Sequence, residues 1–74
     1  MTQIPLLAHV ALVTDLPERG LTRGQLGTVV EELGQAAAPA FLVEFSDEDG
    51  QAYAFADLRP EQMIVLHRRN TEAA

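Results

Sequence analysis

The stretch DLPERGLTRGQLGTVV, from Asp15 to Val30, places a polar loop between two apolar segments. Pro17 fixes its own φ and biases Leu16 toward extended geometry, so the first strand is predicted to end there. Within eight residues the loop contains three glycines, which suit tight turns and close backbone approach: Gly20, Gly24 and Gly27. The stretch therefore predicts a loop of defined shape.

Two leucines lie inside this polar loop, Leu21 and Leu26. Apolar side chains in such a position fold back over a core, so both are predicted to be buried. From Thr28 to Val30 the residues are β-branched, which favours a half-buried strand. The loop is thus predicted to lead directly into a second β-strand.

Short apolar or alternating segments predict five β-strands in all. Their predicted bounds are 8–13, 27–33, 40–46, 51–56 and 63–66. The clearest alternation places Phe41, Val43 and Phe45 on one face of the third strand. Asp49 and Gly50 predict a hairpin turn, residues 34–39 a loop tip, and residues 57–62 a single 3₁₀ turn. The chain is therefore predicted to be all-β.

The predicted core consists of apolar residues from every strand and from the first loop: Val10, Leu12, Leu16, Val29, Val43, Phe45, Phe55, Met63 and Val65. The second strand does not fit simple alternation. If Val29 points inward, alternation turns Glu31 inward too. If Val30 points inward instead, Glu32 does so as well. A β-bulge or a strongly coiled strand is therefore expected there.

A chain of 74 residues is predicted to form one domain with a thin core. Five strands, a long first loop and a 3₁₀ turn before the last strand predict a small five-stranded SH3-like barrel over residues 8–66. Residues 1–7 are predicted to be a loose lead-in that lays Ile4 or Leu6 over the core. Residues 67–74 are predicted to be a frayed tail.

The charge is lopsided, with eleven acidic residues, five arginines, no lysine and a net charge of -6. Nucleic acid is disfavoured as a partner because its binding depends on basic residues that neutralise phosphates. A basic protein partner fits this charge better. There is no cysteine, and the first residues have neither a basic region nor an uninterrupted apolar run. We therefore expect a cytoplasmic protein that makes no use of a membrane.

The chain offers few candidates for chemistry. Asp47, Glu48 and Asp49 form an acidic cluster, but a strand follows where a calcium loop would need more ligands. His9 and His67 have no partner at ligand spacing. No catalytic, metal or cofactor site is therefore predicted, and we expect no enzymatic activity. Three arginines could form a basic spot that binds phosphate or an acidic peptide: Arg19, Arg23 and Arg59. The alternative is that they form ion pairs with neighbouring acids.

Strand parity predicts a candidate partner-binding surface. If Val43 and Phe45 face inward, an apolar centre faces outward, and two acids flank it. The candidate residues are Val30, Glu32, Leu42, Glu44 and Ala54. The partner would be a basic protein or a second copy of the chain, unless the outward residues are scattered or covered by the N-terminal segment.

The segments DLPERGLTRGQLGTVVEEL, FLVEFSDEDGQAYAF and EQMIVL resemble the small bacterial domain of unknown function (DUF) family 4926. The matching motifs are residues 15–18, 20–21, 27–31 and 43–45, followed by a closing apolar strand. The resemblance covers about residues 8–66 and departs in the alanine-rich segment 34–39. It implies an SH3-like barrel and no known activity. A protein-interaction module or accessory subunit, of antitoxin or immunity type, is the expected function; the alternative is a nucleic-acid module of KOW type.

Overall fold

A computed structural model describes residues 4–67, which form one antiparallel sheet of five strands. The strands are β1 (His9–Leu12), β2 (Leu26–Gln35), β3 (Ala38–Ser46), β4 (Ala52–Leu58) and β5 (Met63–Val65), with 3₁₀ turns at Pro17–Arg19 and Pro60–Gln62. The predicted all-β fold is confirmed. The strand order is β4-β3-β2-β1-β5. Within residues 4–67, β4 and β5 do not pair, so the sheet is not closed.

The irregularity expected in the second strand is a β-bulge at Val30. Val29 pairs with Val43, yet the next register pair joins Glu31 to Leu42. Between these two pairs β2 advances by two residues and β3 by one, so Val30 is the extra residue of the bulge. The bulge turns Glu31 outward without moving Val29 from the core, and Glu32, which is now the partner of Phe41, remains exposed.

The connection between β2 and β3 is shorter than the predicted tip at residues 34–39. The strands continue to the pair Gln35 and Ala38, so only two residues form the turn. Gly34 makes this possible: its φ is +74°, and a Cβ there would collide with the Ala38 carbonyl oxygen. A strand-end glycine with positive φ thus extends the ladder where the sequence indicated a loop.

The core lies on one face of the sheet. Six predicted core residues are buried: Val10, Leu12, Val29, Val43, Phe45 and Met63. Leu16 and Val65 are partly buried and pack against them. Four further buried residues complete the core: Leu21, Phe41, Ala56 and Leu58.

Phe55 was predicted to be in the core, and this was wrong, because its side chain is 49% exposed. The inward face of β4 instead carries Ala54, Ala56 and Leu58. The register explains the reversal: Phe45 lies opposite Ala54, and Val43 lies opposite Ala56. Because Val43 and Phe45 fill the interior, small side chains face them from β4, whereas the buried Leu58 lies opposite Phe41.

The first loop has the defined shape that its glycines predict. Leu16 and Leu21 form an isolated bridge around the 3₁₀ turn, and Gly20 closes it with φ +69°. Leu21 is buried as predicted. Leu26 is 60% exposed, which contradicts its predicted burial. The reason is that Leu26 already belongs to β2, where it shares the parity of the outward-facing Thr28.

The lead-in is partly ordered against the sheet. Ile4 packs on the core, whereas Leu6 remains 60% exposed. The backbone N–H of Leu7 donates to the Val29 carbonyl at 2.7 Å. The predicted frayed tail lies outside the described residues, apart from His67. Among residues 4–67, no helix has the length and apolar character needed to cross a bilayer.

Candidate partner-binding face

The side of the sheet opposite the core is here called the outer face. Alternation places on it His9 and Ala11 of β1, Leu26 and Thr28 of β2, Leu42, Glu44 and Ser46 of β3, Tyr53, Phe55 and Asp57 of β4, and Ile64 and Leu66 at β5. One row crosses four strands, since successive Cα partners are His9, Thr28, Glu44 and Phe55. The row continues toward β5, because the Leu66 N–H donates to the His9 carbonyl at 2.8 Å.

The outer face exposes several large apolar side chains. Their exposed fractions are 60% for Leu26, 54% for Ile64, 49% for Tyr53 and Phe55, and 42% for Leu66. Ala11 pairs with Leu26 on one side and with Ile64 on the other, so its small side chain lies between the two larger ones. Single exposed apolar residues are ordinary on a protein surface, whereas a group on one face is typical of a contact surface.

The charged groups of the outer face are acidic. Glu31, Leu42 and Asp57 form a second row across β2, β3 and β4. Glu44 lies in the first row between Thr28 and Phe55. Across residues 4–67 the one ion pair joins Arg59 to Glu61, so none of these carboxylates has a cationic partner there.

A groove of about 470 Å³ opens on the outer face. Its lining residues come from β1, β2, β3 and the end of β5: His9, Leu26, Gly27, Thr28, Glu44, Ser46, Leu66 and His67. The His9 Nδ1 lies 3.4 Å from the Thr28 hydroxyl oxygen. The fold therefore brings together two histidines, two hydroxyls and one carboxylate that are distant in the sequence.

The model of the family described as Domain of unknown function (DUF4926) matches residues 6–65. The chain belongs to the DUF4926 family. This confirms the family that the sequence motifs resemble. No curated protein and no solved structure matches the chain.

Of the predicted partner-binding residues of this DUF4926 chain, Leu42 and Glu44 lie on the outer face and are half-buried. Val30 is half-buried in the bulge. The predicted outward orientation of Ala54 was wrong, because Ala54 packs against the core. Phe55 takes its place on the outer face.

The bulge also changes which acid flanks the predicted surface. Glu32 pairs with the buried Phe41, and Glu31 stands beside Leu42 instead. Sequence reasoning missed Glu31 and Phe55 for the same reason: each depends on a choice of parity that the alternation alone leaves open.

Two other candidates of the DUF4926 chain, Arg59 and Asp47, have local partners. Arg59 Nε donates to Glu61 Oε2 at 3.0 Å, and the Glu61 pKa is lowered by a backbone hydrogen bond and by Arg59. Asp47 Oδ1 accepts from the backbone N–H groups of Asp49 and Gln51, at 2.9 and 3.0 Å. Thus the first acid of the cluster 47–49 stabilises the hairpin turn.

In the first loop, Asp15 Oδ1 accepts a hydrogen bond from the Arg23 backbone N–H at 2.8 Å. The Arg23 guanidinium takes no part in this bond. Arg19 and Arg23 form no ion pair within residues 4–67. In the same range, no group of three His, Cys, Asp or Glu side chains could hold a metal ion.

Proposed function

We propose that this DUF4926 chain is a small, non-enzymatic protein-interaction module or accessory subunit that binds its partner through the outer face of the sheet. The observation that carries the proposal is the combination, on one face, of exposed apolar side chains with carboxylates that have no described ion-pair partner. An apolar centre supplies binding energy on desolvation, and charges at its edge select the partner.

The charge of the outer face favours a basic partner over a second copy. In a symmetric dimer the same patch meets itself, so the acids of both copies, Glu44 and Asp57 among them, would be gathered in one interface. Juxtaposed like charges cost several kcal/mol by order of magnitude. A basic partner places cations against the same groups, so we assign the face to a different protein.

The architecture and the setting belong to the same proposal. The strand order β4-β3-β2-β1-β5, with a 3₁₀ turn directly before β5, supports an SH3-like arrangement. A cytoplasmic location rests on the chain's lack of cysteine.

One observation favours the alternative, a KOW-like nucleic-acid module. Tyr53 and Phe55 are both half exposed on the outer face, and exposed aromatic rings can stack on unpaired bases. Against it stands the net charge of -6 without a lysine. A gel shift with single-stranded RNA that weakens as salt rises would favour this alternative.

The proposal is tested with Leu42→Asp, which introduces a charge on the outer face without touching the core. The control is Ala37→Asp, which adds the same charge at the exposed turn between β2 and β3. Tagged wild type and Ala37→Asp should recover the same partner from a native extract, and Leu42→Asp should lose it, because a charge is costly to desolvate.

Melting curves show whether Leu42→Asp remains folded, and mass spectrometry identifies the recovered protein. Light scattering of the purified chains should give a monomer in each case. Equal partner recovery by wild type and a folded Leu42→Asp variant would contradict the proposal.

A further inference from the structure

The groove on the outer face has the form of a receptor for one long side chain. Two of its lining residues are apolar, Leu26 and Leu66, and the others include the hydroxyls of Thr28 and Ser46 and the imidazoles of His9 and His67. Glu44 is the one carboxylate among its lining residues. The groove thus combines apolar side chains, two imidazoles and two hydroxyls with a single carboxylate.

We propose that this groove holds a cationic side chain, arginine or lysine, contributed by the basic partner. Glu44 accepts hydrogen bonds from the cationic head, and Leu26 and Leu66 cover the aliphatic stem. This inference rests on the proposed function and names the chemistry by which the partner is recognised.

The groove is large enough for such a side chain. Its volume of about 470 Å³ lies within the range of roughly 300–1,000 Å³ that is typical of ligand pockets. Arginine and lysine bury their methylene stems along apolar surface while the charged head remains at a polar group. The lining of the groove offers both environments.

Charge complementarity selects a cation. Glu44 has no ion-pair partner among residues 4–67, and the arginines described there lie in the first loop and in the turn before β5. Phe55, the Cα partner of Glu44, adds an exposed aromatic ring beside the carboxylate. Aromatic faces attract cations, so the ring reinforces the preference.

The test uses acetylated hexa-arginine amide as probe and hexa-citrulline as its uncharged equivalent of similar shape. Titration of the full chain, followed by amide NMR shifts, should show hexa-arginine binding with shifts at Thr28, Glu44 and Leu66. Hexa-citrulline should not bind. Glu44→Gln should weaken hexa-arginine binding by roughly tenfold, because it removes a charge-assisted hydrogen bond.

The matched control is Glu48→Gln, which makes the same charge change in the turn between β3 and β4. Glu48→Gln should alter the affinity by less than about twofold, since Glu48 is exposed, does not line the groove, and is screened by salt. Equal weakening by the two variants would overturn the proposal, because binding would then follow net charge alone.

The pull-down separates this inference from the proposed function. Loss of partner with both Leu42→Asp and Glu44→Gln supports both. Loss with Leu42→Asp alone, and full recovery with a folded Glu44→Gln variant, keeps the outer face as the binding surface and overturns the role of the groove.

Discussion

Along residues 53–56 of β4 the two faces carry side chains of opposite size, and the larger ones face solvent. Ala54 and Ala56 point into the core, whereas Tyr53 and Phe55 are each 49% exposed. Hydrophobicity alone would place the rings inside. The strand opposite decides otherwise, because Phe45 already occupies the space that a ring from β4 would need. Large apolar side chains are thereby left on the outer face, where they can contact a partner.

The largest effect is expected from Phe45→Ala, which breaks the inner side of this comparison. Phe45 is 0% exposed and is one of the largest fully buried side chains. Its truncation should cost about 3–5 kcal/mol, a large share of the stability of a small domain. Chemical denaturation followed by circular dichroism measures the loss. An unchanged unfolding midpoint would show that the ring does not support the core.

Gly27→Ala tests how tightly the inner side is packed. A Cβ at Gly27 would lie 2.5 Å from Val43 Cγ1 and 3.1 Å from Phe45 Cδ2. Overpacking of this kind should cost about 1–3 kcal/mol. The double variant Gly27→Ala with Val43→Ala should be less destabilised than the sum of the two single variants, because the second change removes the clash. Strict additivity in denaturation experiments would contradict this account.

Phe55→Ala removes the same ring as Phe45→Ala, but from the outer face of the sheet. Since half of the ring is already exposed, its removal should cost about 1 kcal/mol or less. The same change should weaken partner recovery, because it removes part of the apolar outer face. A loss of stability as large as that of Phe45→Ala would mean that the two faces of β4 are not distinct.

The smallest effect concerns Glu61, which lies away from both faces of β4. Its pKa is lowered, first by a backbone hydrogen bond and then by Arg59. A lowered carboxyl pKa contributes stability above the pKa of the unfolded chain, and this is lost as the pH falls through the folded pKa. NMR titration should therefore give Glu61 a pKa below that of an ordinary glutamate, and Arg59→Gln should raise the Glu61 pKa. No change in Arg59→Gln would contradict the contribution of the arginine.

Periodicity was sufficient to predict the five strands and an irregularity in the second one, either a β-bulge or a strong coil. The irregularity was predictable because simple alternation turns one glutamate inward whichever valine is buried, Glu31 with Val29 or Glu32 with Val30. The parity of β4 was not predictable in this way. An alternation of alanine and aromatic residues fits either orientation, and the choice depends on the volume that β3 contributes from across the sheet.

The candidate site was predictable only in its centre. Leu42 and Glu44 follow from the alternation of β3, which is the clearest in the chain. The groove does not, because His9 and His67 come from opposite ends of the described chain. They meet only through the pairing of β1 with β5, which no local pattern in the sequence specifies.

That pairing has a consequence for folding. The β2–β3–β4 meander joins neighbouring segments, whereas β5 has three residues and pairs with a strand near the start of the described chain. Long-range pairings bear the greatest loop-closure entropy and form late. Among the strands, β5 is therefore expected to detach first in local opening, and its amides to exchange fastest with solvent. Since Leu66 and His67 line one side of the groove, the groove would be lost before the rest of the sheet unfolds.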